Sequence, residues 1–402
     1  MSDKEWREAI DMRSSLVSVG IVVLSAALLR FWSLGQGPVS PVESRTIDGV
    51  IQLTHTGSYH PAALTNPALP IYLHTIVAVI HFLLGAAVGA WSSLGSFGPE
   101  DIVLWGRGVS ALFGVATVLV VYRIGIRWGA RHGLLAAGLM AVTPAHVAAS
   151  REIAEGAPLT LLTALTLLLS IEAVERGKGR FVAAGIASGL GAATHYAAAL
   201  LLMMPLTAVW MSPDHERPRS WRGAFVVLAA IGAFVIGNPL SVRDLPVFLD
   251  GFAQAASPLG KDILSAPEIA GRLGAALEWP GVILALAGVI LGIVRAIAGP
   301  GHTRWTLLVS FPVVFFAIVA WHGAASDVIL LPVIPASALL AGIAVVSGVS
   351  LLRRFEIPRT ARTALIAALT VFVLLPPAVV SIEIVVDAHG RHTHVAVNQR
   401  LP

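Results

Sequence analysis

Apolar residues gather in long, unbroken blocks separated by short segments rich in arginine. Eleven blocks have roughly the length of a membrane-crossing helix: 15–34, 106–122, 133–149, 158–171, 181–194, 197–211, 224–237, 282–294, 307–320, 328–349 and 364–381. A helix rises about 1.5 Å per residue, so the longer blocks span a hydrocarbon core unaided. None alternates apolar with polar positions, as the strands of a membrane barrel do. The pattern predicts an all-α, polytopic transmembrane helical bundle of about 11 crossings.

Basic residues sort the connections. Lys4, Arg7 and Arg13 precede the first block, which places the N-terminal segment 1–14 in the cytoplasm, where Lys and Arg are retained. Further clusters at Arg123/Arg127/Arg131, Arg176/Lys178/Arg180, Arg217/Arg219/Arg222, Arg295/Arg304 and Arg353/Arg354/Arg359/Arg362 mark inner loops. Between them the blocks pair into hairpins with outer corners, near Arg151 and Glu155, at His195-Tyr196, and at Trp321, His322 and Asp327. The block 364–381 then carries the C-terminal tail 382–402 outside. The apolar stretch 69–91 falls out of this alternation. The chain leaves 15–34 on the outer side and must start 106–122 there too, because Arg123 is inside. The stretch is therefore expected to make no net crossing, as interfacial or re-entrant helix within a first outer loop 35–105; the alternative is that it crosses and the orientation rule fails at Arg123/Arg127/Arg131. A second long outer loop, 238–279, joins the helices of 106–237 to those of 280–381.

Composition narrows the classes. Of 402 residues, 56% are hydrophobic and 12% charged, against about 25% charged in an ordinary soluble domain. Mean hydropathy is +0.80. These values exclude a disordered chain, which is poor in apolar residues and rich in charge. The absence of cysteine excludes disulfides, thiolate chemistry and Cys-ligated metals. The net charge of +4 is read as orientation of inner loops and not as nucleic-acid binding. The polar N-terminus and the lack of a small-residue cleavage site after the first block point to a retained helix, not a removed signal peptide.

With acids so scarce, each outer one is a candidate. Glu43 lies in SPVESRTIDG, Glu152 and Glu155 in SREIAEGAP, Asp244 and Asp250 in NPLSVRDLPVFLDGF, and Asp327 follows Trp321-His322. A carboxylate at a membrane surface can act as a general base or hold a metal; its bland role is solvation or a local ion pair. Arg45, Arg107, Arg151 and Arg243 are outer arginines that run against the orientation rule. Arginine binds phosphate through paired N–H groups, so these four suit a lipid-phosphate head group, with pairing to neighbouring acids as the alternative. No metal-binding spacing is present among the 13 histidines. His55, His60, His74 and His81 fall in the first outer loop, while His389, His392 and His394 read as a solvated tail.

The order of segments resembles glycosyltransferase family 39, the group of protein O-mannosyltransferases and lipid A aminoarabinose transferases, all of the GT-C fold. LLRFWSLGQGP, VESRTIDGVIQLTHTGSY, TNPALPIYLHTIVAVI, GIASGLGAATHYAAALLLMMP, GNPLSVRD and LLPVIPASALLAG each fit its succession. The longest match is GRGVSALFGVATVLVVYRIGIRWGARHGLLAAGLMAVTPAHVAASRE. The chain departs from the family pattern at several positions. The first-loop Asp-Glu pair reads Val42-Glu43, the Asp expected after Arg151 reads Gly156 beside Glu155, a Lys position reads His195, and an Arg-Tyr pair reads Asp327-Val328. Many members carry a further soluble domain, so the resemblance is to the membrane portion.

The resemblance implies sugar transfer from a polyprenyl-phosphate donor to an acceptor on the outer face of a bacterial cytoplasmic membrane. Glu43 would be base or acceptor-orienting group and Glu155 a second carboxylate or metal ligand. Arg45, Arg107, Arg151 and Arg243 would hold phosphate, with His195 and Tyr196 touching the head group. A divalent metal is an option and no cofactor is demanded. Partners are then the sugar lipid and membrane lipids. The rival reading is a subunit that has lost catalysis and assembles with other membrane proteins; the missing Asp at Val42 favours it.

Overall fold

A computed structural model describes residues 3–59, 61, 64–177, 179–212, 219–256, 265–299, 301–322, 327–352 and 358–398. His60, Lys178, Arg217, Arg353 and Arg354 lie outside the described residues. So do the side chains of Lys4, Arg7, Arg13, Trp321, His322, Asp327, Arg359, Arg362 and the three tail histidines.

The protein is an all-helical, multi-pass membrane bundle with no strand among the described residues. Its helices are α1 (Asp3–Phe31), α2 (Pro41–Thr56), α3 (Leu69–Ala87), α4 (Pro99–Gly125), α5 (Ala130–Val142), α6 (Pro144–Ala149), α7 (Gly156–Arg176) and α8 (Arg180–Ala192). After a 3₁₀ turn, Tyr196–Leu202, come α9 (Met203–Met211), α10 (Arg219–Gly237), α11 (Leu240–Arg243), α12 (Leu245–Ala256), α13 (Ala266–Leu277), α14 (Trp279–Ala298) and α15 (His302–His322). A second 3₁₀ segment, Asp327–Val333, leads into α16 (Ile334–Leu352), and α17 (Arg359–Asn398) closes the chain as described. Seven described helices are long and apolar enough to cross a membrane, and five shorter apolar ones accompany them. Together these are the eleven expected blocks plus α3.

Polar contacts gather the helix ends into two layers. At one end, Arg127, in the turn after α4, pairs with Glu172 at 2.8 Å and with Glu175 on α7, Arg180 (α8) reaches Glu172 at 3.0 Å, and Arg304 (α15) reaches Glu175 at 2.7 Å. At the other end, the Ser381 hydroxyl donates to the Val142 carbonyl (2.9 Å), the Leu69 N–H to the Ala193 carbonyl (3.2 Å) and the Ala68 N–H to Asn238 Oδ1 (3.3 Å). Ala388 on α17 abuts Gly37, just past α1. Between the layers, small residues let helices approach closely. A methyl group on Gly185 of α8 would stand 2.6 Å from the Val226 carbonyl of α10, the small-residue packing that membrane helices use in place of a hydrophobic drive.

Three boundaries differ from the expectation. The block 133–149 is two helices, because Thr143 turns extended and Pro144 starts α6 at a position where its missing N–H is not needed. Residues 99–105 belong to α4 and not to the outer loop: Pro99 opens that helix and the Asp101 carboxylate accepts the Gly98 N–H at 2.8 Å. The tail 382–402 is helical as far as Asn398, since nothing in SIEIVVDAHG breaks the helix of α17.

The first loop folds as α2 and α3 laid side by side, with Ile47, Val50, Ala78, Phe97 and Ile102 in one small core. The His55 Nε2 donates to the Phe97 carbonyl at 3.0 Å, so the chain leaves α2 and enters α4 at one place.

Candidate functional site

Arginines tie the ends of α1, α4 and α6 together at the Glu43 end of the bundle. The last carbonyls of a helix have no partner within it. Arg151 supplies one, its Nη1 donating to the carbonyls of Leu29 (3.1 Å), Arg30 (3.2 Å) and Trp32 (2.9 Å). Arg107 serves the turn that follows, donating to Leu34 (3.2 Å), Gln36 (3.0 Å) and Pro38 (3.1 Å). Arg30 is wholly buried and donates to Ala26, Met140 and Ala141 carbonyls, with His146 Nδ1 2.7 Å from its Nη2. Gly114 makes room for it: a Cβ there would stand 2.6 Å from Arg30 Nε.

Glu43 is the anion of this knot. Its Oε1 accepts Arg107 Nε (2.8 Å) and the Ile153 N–H (3.1 Å). Its Oε2 accepts Arg107 Nη2 (2.8 Å) and the Ser40 N–H (3.0 Å). The last bond is half of a capping box, since the Ser40 hydroxyl accepts the Glu43 N–H at 3.2 Å and Pro41 starts the helix. A carboxylate with four bonds and 1% exposure has its lone pairs spent. Glu43 is therefore held between α2, α4 and the Ile153 turn by these four bonds. Two residues expected to hold phosphate are also engaged within the protein: Arg107 through all three of its nitrogens, and Arg151 on carbonyls.

One residue earlier, the side of α2 changes. Val42, Arg45 and Thr46 line a cavity of about 100 Å³, closed by Tyr59, Thr65 and Asn66 of the loop before α3, by Glu155, and by Thr194 at the end of α8. Val42, at the place of the family Asp, thus faces the cavity while Glu43 turns away. Pro70 and Thr194 are shared with an apolar cleft of about 160 Å³ between α3, α4, α7 and α8, lined by Leu69, Leu73, Phe113, Leu161, Leu162 and Leu190.

Glu155 is the one carboxylate among the residues lining the polar cavity. His195 stands within its field. Burial lowers the His195 pKa and the Glu155 charge opposes that fall. The Nδ1 of His195 accepts the Ala197 N–H (3.3 Å), which leaves Nε2 to carry the proton of the neutral ring. The Tyr196 hydroxyl donates to the Leu64 carbonyl at 2.7 Å, with its ring against Phe248 and Phe252. Arg45 is exposed at the cavity, and Arg243, at the end of α11, is exposed within reach of Tyr72 on α3.

Glu152, half-buried in the turn between α6 and α7, has its pKa raised by burial and by the Glu43 charge; the Ser40 hydroxyl and Arg107 offset part of that. No group of three or more metal-binding side chains occurs among the described residues. Arg30, His146 and Asn238 belong to the scaffold of this site and escaped the sequence reading. Arg30 carried a usable signal, since it too is a basic residue at an outer helix end.

The bundle, with its outer helices between the first crossing and the second, is the GT-C membrane fold. Residues 103–242, about a third of the chain, match the family of dolichyl-phosphate-mannose-protein mannosyltransferases. No curated protein matches the chain in sequence. Among solved structures, the chain is similar to the oligosaccharyltransferase AglB from Archaeoglobus fulgidus, in complex with an inhibitory peptide and a dolichol-phosphate: TM-score 0.62, 13% identity, 94% of this chain covered. It is also similar to ArnT from Cupriavidus metallidurans bound to undecaprenyl phosphate: TM-score 0.60, 16% identity, 98% of this chain covered. The chain spans 56% of the length of the first and 76% of the second.

Proposed function

We propose that the protein is a membrane glycosyltransferase that moves a sugar from a polyprenyl phosphate to an acceptor at the Glu43 end of the bundle, read as the outer face of a bacterial inner membrane. The observation that carries this reading is the junction of two cavities at Pro70 and Thr194. One is polar and holds Glu155 and Arg45. The other is apolar and suits a prenyl chain. A lipid-linked sugar has this division, a reactive carbon beside a phosphate at one end and hydrocarbon at the other. In support, the matched family and the ArnT and AglB complexes concern donors or ligands of that kind.

Glu155 takes the role expected of Glu43. As the cavity carboxylate it accepts the proton of the acceptor hydroxyl. Arg45 and Arg243 meet the phosphate, which leaves with negative charge that their N–H groups stabilise. Glu43, Arg107 and Arg151 hold α2 and the Glu155 turn in place. His195 lies beside it, within the field of the Glu155 charge. In this reading α3 lies along the outer face without crossing, which the His55–Phe97 bond supports.

Val42 favours a second reading, a non-catalytic subunit that has kept the fold and the lipid cleft. One experiment addresses both. The purified chain in liposomes is offered a panel of short-chain polyprenyl-phosphate hexoses and pentoses, and release of free polyprenyl phosphate is followed. Release that depends on Glu155 supports the enzyme. Binding of the lipids without release by any, and its gain in Val42→Asp, would support the degenerate subunit.

A further inference from the structure

A second apolar cavity, of about 260 Å³, lies between α13, α14, α15 and the start of α16. Leu277, Val282, Val289, Phe316 and Val333 are among its walls. Its single hydroxyl, Ser337, already donates to the Val333 carbonyl at 2.9 Å. A sugar or a peptide would find nothing to bond there. Water would find nothing either, and apolar cavities of this kind stay dry. Pro312 within α15 and Pro332 in the 3₁₀ segment interrupt the helical ladders beside it.

Two features say what fills it. The outer flanks of α14 and α15 are exposed and apolar, at Ile283, Leu286, Ile290, Val313 and Val314, so the cavity continues a lipid-facing surface. The segment that carries its wall residue Val333 also touches the turn of the candidate site. Leu331, two residues before Val333, packs against Gly156, the neighbour of Glu155. A chain anchored here would have its head group on the side of the cavity where Leu331 meets Gly156. The cleft between α3, α4, α7 and α8 is already assigned to the donor's prenyl chain and approaches Glu155 from another side of α7.

We propose that this cavity takes an acyl chain of the acceptor, so that the acceptor is a lipid of the surrounding leaflet and not a free sugar or a polypeptide. The proposal rests on the transferase reading. In the step it implies, the acceptor's hydroxyl oxygen bonds to the anomeric carbon as the bond from that carbon to the donor phosphate oxygen breaks. The hydroxyl proton passes to Glu155 and the departing phosphate keeps the electron pair.

Photo-cross-linking of the full chain in liposomes tests this, with a diazirine on the acyl chain of phosphatidylethanolamine in one arm and on decaprenyl phosphate in the other. The expected result is phospholipid adducts at cavity-facing Val289 and Phe316, beyond the background at lipid-facing Ile290 and Val314. Filling the cavity from its rim with Ala317→Trp, or from its wall with Ser337→Phe, should lower those adducts roughly tenfold, as for loss of a buried alkyl segment. Adducts at Ile290 should stay unchanged. Equal labelling of cavity and lipid-facing residues overturns the proposal, as does decaprenyl phosphate marking Val289 in place of the phospholipid. Decaprenyl phosphate missing from Leu162 and Phe113 would instead overturn the transferase reading, whatever the phospholipid arm shows.

Discussion

Arg107, Arg151, Arg45 and Arg243 were all expected as outer arginines that run against the orientation rule. Yet they divide into two kinds. The first pair is buried, at 5% and 8% exposure, and spends its N–H groups on helix-end carbonyls and Glu43. The second pair is exposed beside the polar cavity and the start of α3. The carboxylates divide likewise, Glu43 into the knot and Glu155 into the cavity. The lesson is that an outer charge in a membrane protein signals a bond to be made, and only burial and partner count say whether the protein or a ligand makes it.

The comparison breaks first at the knot. Arg107→Ala leaves Glu43 buried without its cation, a change that costs about 3–5 kcal/mol for a buried pair. We expect loss of monodisperse protein in detergent, read by size exclusion and thermal melting; a normal melting temperature would place Arg107 outside the scaffold. Next comes the cavity carboxylate. Glu155→Gln should lower transfer about 10²–10⁴-fold, the usual worth of a general base, with melting unchanged. Smaller is the effect of the exposed arginines. Arg45→Ala and Arg243→Ala should each weaken decaprenyl phosphate binding about tenfold or more, since hydrogen bonds to charged groups contribute about 1.5–3 kcal/mol. Titration of the purified protein checks this, and unchanged affinity in both would remove them from the phosphate site.

The smallest effect is one of pH. The folded pKa of Glu152 is raised by burial and the Glu43 charge. Its contribution is therefore fully present below the unfolded value and lost as pH rises through the folded one. Glu152→Gln mimics the protonated group. It should melt a degree or two higher than the parent at neutral pH, by the usual scaling, and the gain should vanish once the pH falls below the ordinary carboxylate range. A gain that grows on acidification would reverse the sign and refute the assignment.

Much of this was legible in the chain. Apolar blocks gave the crossings because a backbone in lipid has to satisfy itself within helices. Of the basic residues expected to share one side, Arg127, Arg180 and Arg304 do gather at one end of the bundle, on Glu172 and Glu175 of α7. The site was half legible. Glu155, Arg45 and His195 were found as outer polar residues, and they meet. The bonds of Glu43 were not legible, because a sequence shows which residues are adjacent but not which way α2 is turned. Val42 and Glu43 are neighbours in the chain and face opposite surroundings, and the rotation is set by Ile47 and Val50 packing into the first-loop core and by Arg107 arriving from α4. The partner of Tyr196 was hidden for a similar reason, since its acceptor, the Leu64 carbonyl, comes from a loop 132 residues away.

The central claim is that Glu43 holds the site and Glu155 works in it. The direct measurement is melting temperature and transfer rate taken together on Glu43→Gln and Glu155→Gln in the same liposomes. The account predicts a crossed result: Glu43→Gln melts several degrees lower, while its folded fraction keeps a transfer rate near the parent's. Glu155→Gln melts with the parent and its transfer is lost. Transfer lost in Glu43→Gln at full stability, with Glu155→Gln active, would contradict it.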